Sequence, residues 1–181
     1  DKLTLAYALY LHTEVYLDDR DLENAFRAIE ESVSLCRELS QPRLLCLALS
    51  DLGVTLHGSQ KTNEARAALE EALEIAVREK YVRGEGYALR RLVQNLRVDG
   101  NYAEAVNVNQ RALKAIRASG DRINIGQVLV TMAILTNALD DFSASGRFAQ
   151  EAYDMFQSIG SEFQQPFPER LTGYAAAHTG N

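Results

Sequence analysis

Arg90, Gln94 and Arg97 are separated by four and then three residues, the spacing that keeps side chains on one helix face over two turns. Two guanidiniums so placed can each take a carboxylate or phosphate through paired N–H donors, and an amide between them can bond the backbone of an extended ligand. That is recognition chemistry. Reaction chemistry has no comparable footing, because His12, His57 and His178 are dispersed and no glycine-rich phosphate loop, nucleophile elbow or His/Glu metal spacing occurs. Paired acids such as Glu30-Glu31 and Glu70-Glu71 stand among Arg27, Arg66 and Arg78, as on a solvated helix face. The sequence therefore reads as a non-enzyme with no catalytic residue, metal or cofactor.

A formal charge of −6 and a pI near 5.1 argue against direct nucleic-acid contact and against an anionic membrane as partner. No stretch is long and apolar enough to span a bilayer. Leu3, Leu5, Leu9, Leu11 and Val15 crowd the start, but His12 and Glu14 interrupt them, so the segment reads as a structural helix rather than a signal peptide. A chain that starts at Asp1, with no initiator Met, is expected to be a fragment of a longer protein. Cys36 and Cys46 make no metal or redox spacing and read as core thiols, with a cytoplasmic location expected.

The elements that carry these residues recur every 40 positions. Ala25, Ala65, Ala105 and Ser145 share one place in the repeat, Ser32, Ala72, Ala112 and Ala152 a second, and Thr13, Gly53, Val93, Ala133 and Gly173 a third. Small residues at fixed places mark where two helices approach closely, and a period of this length carried by helices reads as a solenoid. Leu89, Leu92, Val93 and Leu96 give the i, i+3, i+4, i+7 face of a first helix. Asp99-Gly100-Asn101 breaks it, with Asn101 as expected N-cap and Glu104 three residues on. A second helix runs through Ala105, Val108, Ala112, Leu113 and Ile116 and stops at Ser119-Gly120, a left-handed C-terminus. Helix–turn–helix pairs are expected at roughly 3–40, 43–80, 83–120 and 122–160, with a partial fifth at 163–181, all in a single domain spanning 1–181. His12 falls in the column of Leu52, Leu92 and Met132, which predicts a packed histidine.

The order of residues within each unit resembles the tetratricopeptide repeat. In the second unit it is carried by Leu49, Leu52-Gly53, Leu56, Ala65, Leu69 and Ala72, and in the third by Leu89, Leu92-Val93, Leu96, Ala105, Asn109 and Ala112. The resemblance covers nearly the whole chain and implies an all-α, right-handed α-solenoid of four repeats plus a half-repeat. It departs from the usual pattern in its longer unit, in having no Trp, and in Asn109 at a place expected to be apolar. The long unit is similar to the extended arrays of bacterial signal-transduction ATPases, including the ATP-binding LuxR-type regulators related to the maltose activator.

In arrays of this kind the first helices line a concave groove. The resemblance assigns to it Tyr7, Tyr10, Glu14 and Leu17; Leu47, Ser50, Val54 and His57; Tyr87, Arg90, Gln94 and Arg97; and Gln127, Val130, Ile134 and Asn137. Phe167, Arg170, Tyr174 and Ala177 would continue it. With Glu14 its one acid, this groove is expected to be basic within an acidic chain. Tyr87, Arg90, Gln94, Arg97, His57, Gln127 and Asn137 are the candidate ligand-binding residues, for a protein or peptide partner or a small anionic ligand. The same arginines could instead pair with glutamates of neighbouring helices. The expected function is the sensory or interaction segment of a bacterial signal-transduction or transcriptional regulator; the alternatives are a structural or oligomerisation scaffold and a small-ligand sensor. Self-association is expected through the C-terminal half-repeat, whose Phe167, Leu171, Tyr174 and Ala175 would lack a capping helix.

Overall fold

A computed structural model describes residues 1–160, and those residues form eight α-helices with no strand among them. The helices are α1 (Lys2–Asp18), α2 (Leu22–Glu38), α3 (Pro42–Gly58), α4 (Thr62–Arg78), α5 (Val82–Val98), α6 (Tyr102–Ser119), α7 (Arg122–Ala138) and α8 (Phe142–Ser158). The expected fifth, partial repeat and its self-association face lie outside the described residues.

Chain reversal follows one rule throughout. Arg20, Ser40, Gln60, Lys80, Gly100, Gly120, Asp140 and Gly160 all take positive φ, between 50° and 76°, so the backbone turns every 20 residues. The following amide closes the turn by reaching back five residues, as Asp21 N–H does to Tyr16, Lys61 to Leu56 and Asn101 to Leu96. Five of the eight are not glycine, and each pays the steric cost of a Cβ in the left-handed region. Helix starts are less uniform. Asp1, Asp21, Asp121 and Asp141 accept from the amide three residues on, at 2.7, 3.2, 3.1 and 2.9 Å. Asn101, expected to cap α6 with its side chain, occupies the N-cap but makes no side-chain cap bond, and Gln41 and Lys61 behave likewise.

The chain divides into two compact units, Asp1–Asn95 and a second from Leu96 onward. In the first, α1 packs on α2, α2 on α3 and α3 on α4, with α1 also touching α3; Ile29, Leu49, Leu69 and Leu89 are wholly buried. In the second, α6 packs on α7 and α7 on α8 around Val128, Leu129, Met132 and Leu135. The small columns sit where paired helices touch. Ala25, Ala65, Ala105, Ser145, Ser32, Ala72, Ala112 and Ala152 are fully covered. Where the column holds serine, its hydroxyl donates to the facing helix: Ser32 to the Ala6 carbonyl at 2.8 Å and Ser145 to the Ala133 carbonyl at 2.9 Å. At Gly53 a Cβ would meet Leu69 Cγ at 2.6 Å and the Ala65 carbonyl at 3.1 Å, so the contact admits nothing larger.

His12 departs from expectation. It is exposed, its ring edge-on to Tyr16 at 6.4 Å. The same residue position is buried at Leu92 and Met132 and half-buried at Leu52. Asn109 replaces the Ile29 and Leu69 of earlier units and is fully buried. Its amide donates to the Val128 carbonyl at 3.0 Å while its Oδ1 has no partner.

Candidate functional site

The first helices of unit 1 bring a polar cluster to one place. Asp51, from the middle of α3, is completely buried, and Arg91 Nη2 from α5 donates to its Oδ1 at 2.7 Å. The Tyr87 hydroxyl, one turn before Arg91, donates to Asp51 at 2.9 Å and accepts from Arg91 Nη2 at 2.7 Å. Glu14 of α1 closes the group, with Oε1 at 3.3 Å from Arg91 Nη2 and 3.2 Å from the Tyr87 hydroxyl. Asp51 and Arg91 are 0% and 16% exposed, whereas Glu14 is 48% exposed, so the cluster runs from a dry interior to the solvent. Arg90 and Arg91 stand over the Tyr87 ring with guanidinium carbons 5.3 and 4.9 Å from its centroid.

Burial governs the protonation of these groups. It pushes the Asp51 carboxyl up, against the pull of the Arg91 charge and the Tyr87 hydroxyl. It pushes Tyr10 up to about 12, with the Asp51 charge adding to the effect, and drives Tyr87 higher still. It lowers Arg90, and the like charge of Arg91 acts in the same direction. Arg91 Nε is buried without a partner, so the pair is held by one edge of the guanidinium.

The candidate residues divide accordingly. Tyr87 and Arg90 are in contact within the cluster, and Gln94 is exposed one turn further along α5. His57 lies half-buried in the last turn of α3. Arg97 is exposed in the last turn of α5 and belongs, with the half-buried Gln127 and Asn137 of α7, to the second unit. Asp51 and Arg91 were absent from the expected stripe. With them, this face of unit 1 carries the carboxylates Glu14 and Asp51 against the guanidiniums Arg90 and Arg91, so it is charge-balanced here rather than basic. The two occupy the same place in consecutive units, and opposite charges there were a legible signal of contact between neighbouring first helices.

Cys36 and Cys46 are buried free thiols, Cys46 pushed by burial up to about 12. No metal-holding group of side chains occurs among the described residues, and no helix among them is long and apolar enough to cross a membrane.

Helix pairs recurring every 40 residues on small-residue contacts define a helical-repeat array. A tetratricopeptide repeat family model matches residues 45–79. Similar solved structures include aspartyl phosphate phosphatase F from Bacillus subtilis, at 14% identity and a TM-score of 0.87 over 99% of this chain and 47% of that one. A signal transduction ATPase with numerous domains and a tetratricopeptide repeat sensor, from Pyrococcus horikoshii, is 16% identical with a TM-score of 0.81 over 100% of this chain and 28% of that one. A Rap protein complexed with competence and sporulation factor is 14% identical with a TM-score of 0.73 over 99% and 50%. The chain spans about half the length of the first of these structures. No curated protein matches it by sequence. The tetratricopeptide-repeat match is confined to residues 45–79, and the likeness to these structures shows an all-α helical-repeat solenoid fold.

Proposed function

We propose that this array is a non-catalytic recognition module for an extended peptide or a small ligand bearing a carboxylate or phosphate. Within a larger cytoplasmic bacterial regulator it would serve as the sensory or interaction segment. The observation that carries the reading is the face of α1, α3 and α5, where a buried pair, Asp51 with Arg91, fixes Tyr87, with Arg90 stacked on its ring and Gln94 exposed one turn further on. Arg97, Gln127 and Asn137, in the second unit, are proposed there separately, by their place in the repeat. The fold is shared with a protein whose tetratricopeptide repeats are described as a sensor and with one complexed with a sporulation factor, which supports this reading.

The test is titration of an acidic peptide library against the parent chain and an Arg90→Ala, Arg97→Ala double variant. The variant should bind more weakly with an unchanged melting profile, and parent affinity should fall as salt rises. Equal affinity in parent and variant would move the site off this face. An oligomerisation scaffold remains the second reading, favoured by Leu5 and Val15 of α1, exposed at 45% and 56%; sedimentation of the parent across concentration decides it.

A further inference from the structure

At the N-terminal ends of the first helices in unit 1, Leu3 and Tyr7 of α1, Leu44 and Leu47 of α3 and Tyr81 before α5 wall an open cavity of about 500 Å³. The volume falls within the range of ligand pockets, ~300–1,000 Å³. Leu3 and Tyr7 are 44% and 51% exposed there. The one charged lining residue is Arg43, whose guanidinium lies 5.5 Å from the centroid of the Tyr81 ring and pairs with no carboxylate among the described residues. Gln41, which also lines the cavity, occupies the N-cap of α3 without a side-chain cap bond, so the first-turn amides of α3 are uncapped, unlike those of α1, where Asp1 accepts from Thr4. Apolar walls, a stacked cation without a counter-ion and an uncapped helix start all call for the same complement.

We propose that this cavity is the specificity pocket for a peptide that presents an aromatic or long aliphatic side chain next to an acidic residue. The proposal rests on the reading of the array as a peptide-binding module and names the sequence it selects. The apolar side chain fills the space between Leu3, Leu44 and Leu47. The acidic group meets Arg43, whose planar fork is pre-set by stacking on Tyr81. Tyr7 joins the pocket to the polar cluster, its ring centroid 6.1 Å from that of Tyr10, so one extended ligand can reach both.

The experiment titrates three synthetic peptide series against the full chain: aromatic with Glu, aromatic with Gln, and Ser with Glu at the paired positions. Arg43→Gln removes the cation from an exposed position, and Leu47→Trp fills the cavity, with a melting profile as control because Leu47 also packs against the core. The aromatic–Glu series should bind the parent best, and each variant should weaken it by about tenfold. The aromatic–Gln series should be weak and insensitive to Arg43→Gln. Binding that Arg90→Ala with Arg97→Ala weakens but that neither cavity variant affects would overturn the pocket and keep the module. Absence of binding by every series would overturn the functional reading, and the pocket with it.

Discussion

Asp51 and Arg91 occupy the same place in successive 40-residue units, and their side chains meet at 2.7 Å in the interior of unit 1. A solenoid ordinarily leaves this face to its ligand. Here it also carries a buried charge pair joining α3 to α5 and, through Glu14, α1.

Replacing Arg91 by Met leaves the Asp51 carboxylate buried without its counter-charge, and breaking a buried pair from one side costs about 3–5 kcal/mol. Burial already holds Asp51 above its ordinary range. A carboxyl whose folded pKa lies above its unfolded value of about 3.9 contributes stability that is complete below that value and drains away as pH rises through the folded one. Urea denaturation of Arg91→Met should thus show a larger deficit at neutral pH than at about pH 5, and adding Asp51→Asn should abolish the difference. A pH-independent deficit would mean that Asp51 is not the group left stranded.

The left-handed turns predict gains as well as losses. Gln60→Gly and Lys80→Gly each remove a Cβ from a positive-φ residue, a cost of about 1–2 kcal/mol, less the ~0.5–1 kcal/mol that glycine loses in chain entropy. Each should raise the melting temperature slightly. Gly100→Ala is the converse, since its Cβ would meet nothing within 4 Å and any loss is pure backbone strain. Thermal melts of the three variants settle the sign.

Close helix contact should be intolerant of added bulk. Ala105→Leu or Ala112→Leu is expected to cost about 1–3 kcal/mol by overpacking. Gly53→Ala should also destabilise, because a Cβ there meets the Ala65 carbonyl, which is backbone and cannot turn aside. Variants that melted like the parent would refute the proposed contacts.

Asn109→Leu should stabilise the protein by about 1 kcal/mol, because it removes a buried amide oxygen with no partner and restores the side-chain type of Leu69 at that place. Chemical denaturation measures it. A loss of stability would assign greater weight to the bond from Asn109 to the Val128 carbonyl.

Helices, turns and the small contact columns were legible because steric demands repeat with the unit: Ala65 and Ala105 answer the same neighbour. The cluster at Asp51 was legible only in the opposite charges of residues 40 apart, since a stripe at spacings of three and four passes over its column. His12 misled because a shared column does not by itself bury a side chain: burial in this one ranges from exposed at His12 through half-buried at Leu52 to complete at Met132. The turns at Arg20, Gln60 and Lys80 carry no glycine to announce their backbone.

Turns every 20 residues serve helices that alternate in character: α3 and α7 are covered on eight residues each, α2 and α4 on six. Deleting one helix with its turn would leave each remaining segment able to coil and reverse, yet would seat outer-type helices at inner places and part Asp51 from its counterpart. Deleting two keeps the alternation of first and second helices. The lineage of such a chain can therefore lengthen or shorten only by an even number of helices, and its heritable module is the couple rather than the helix.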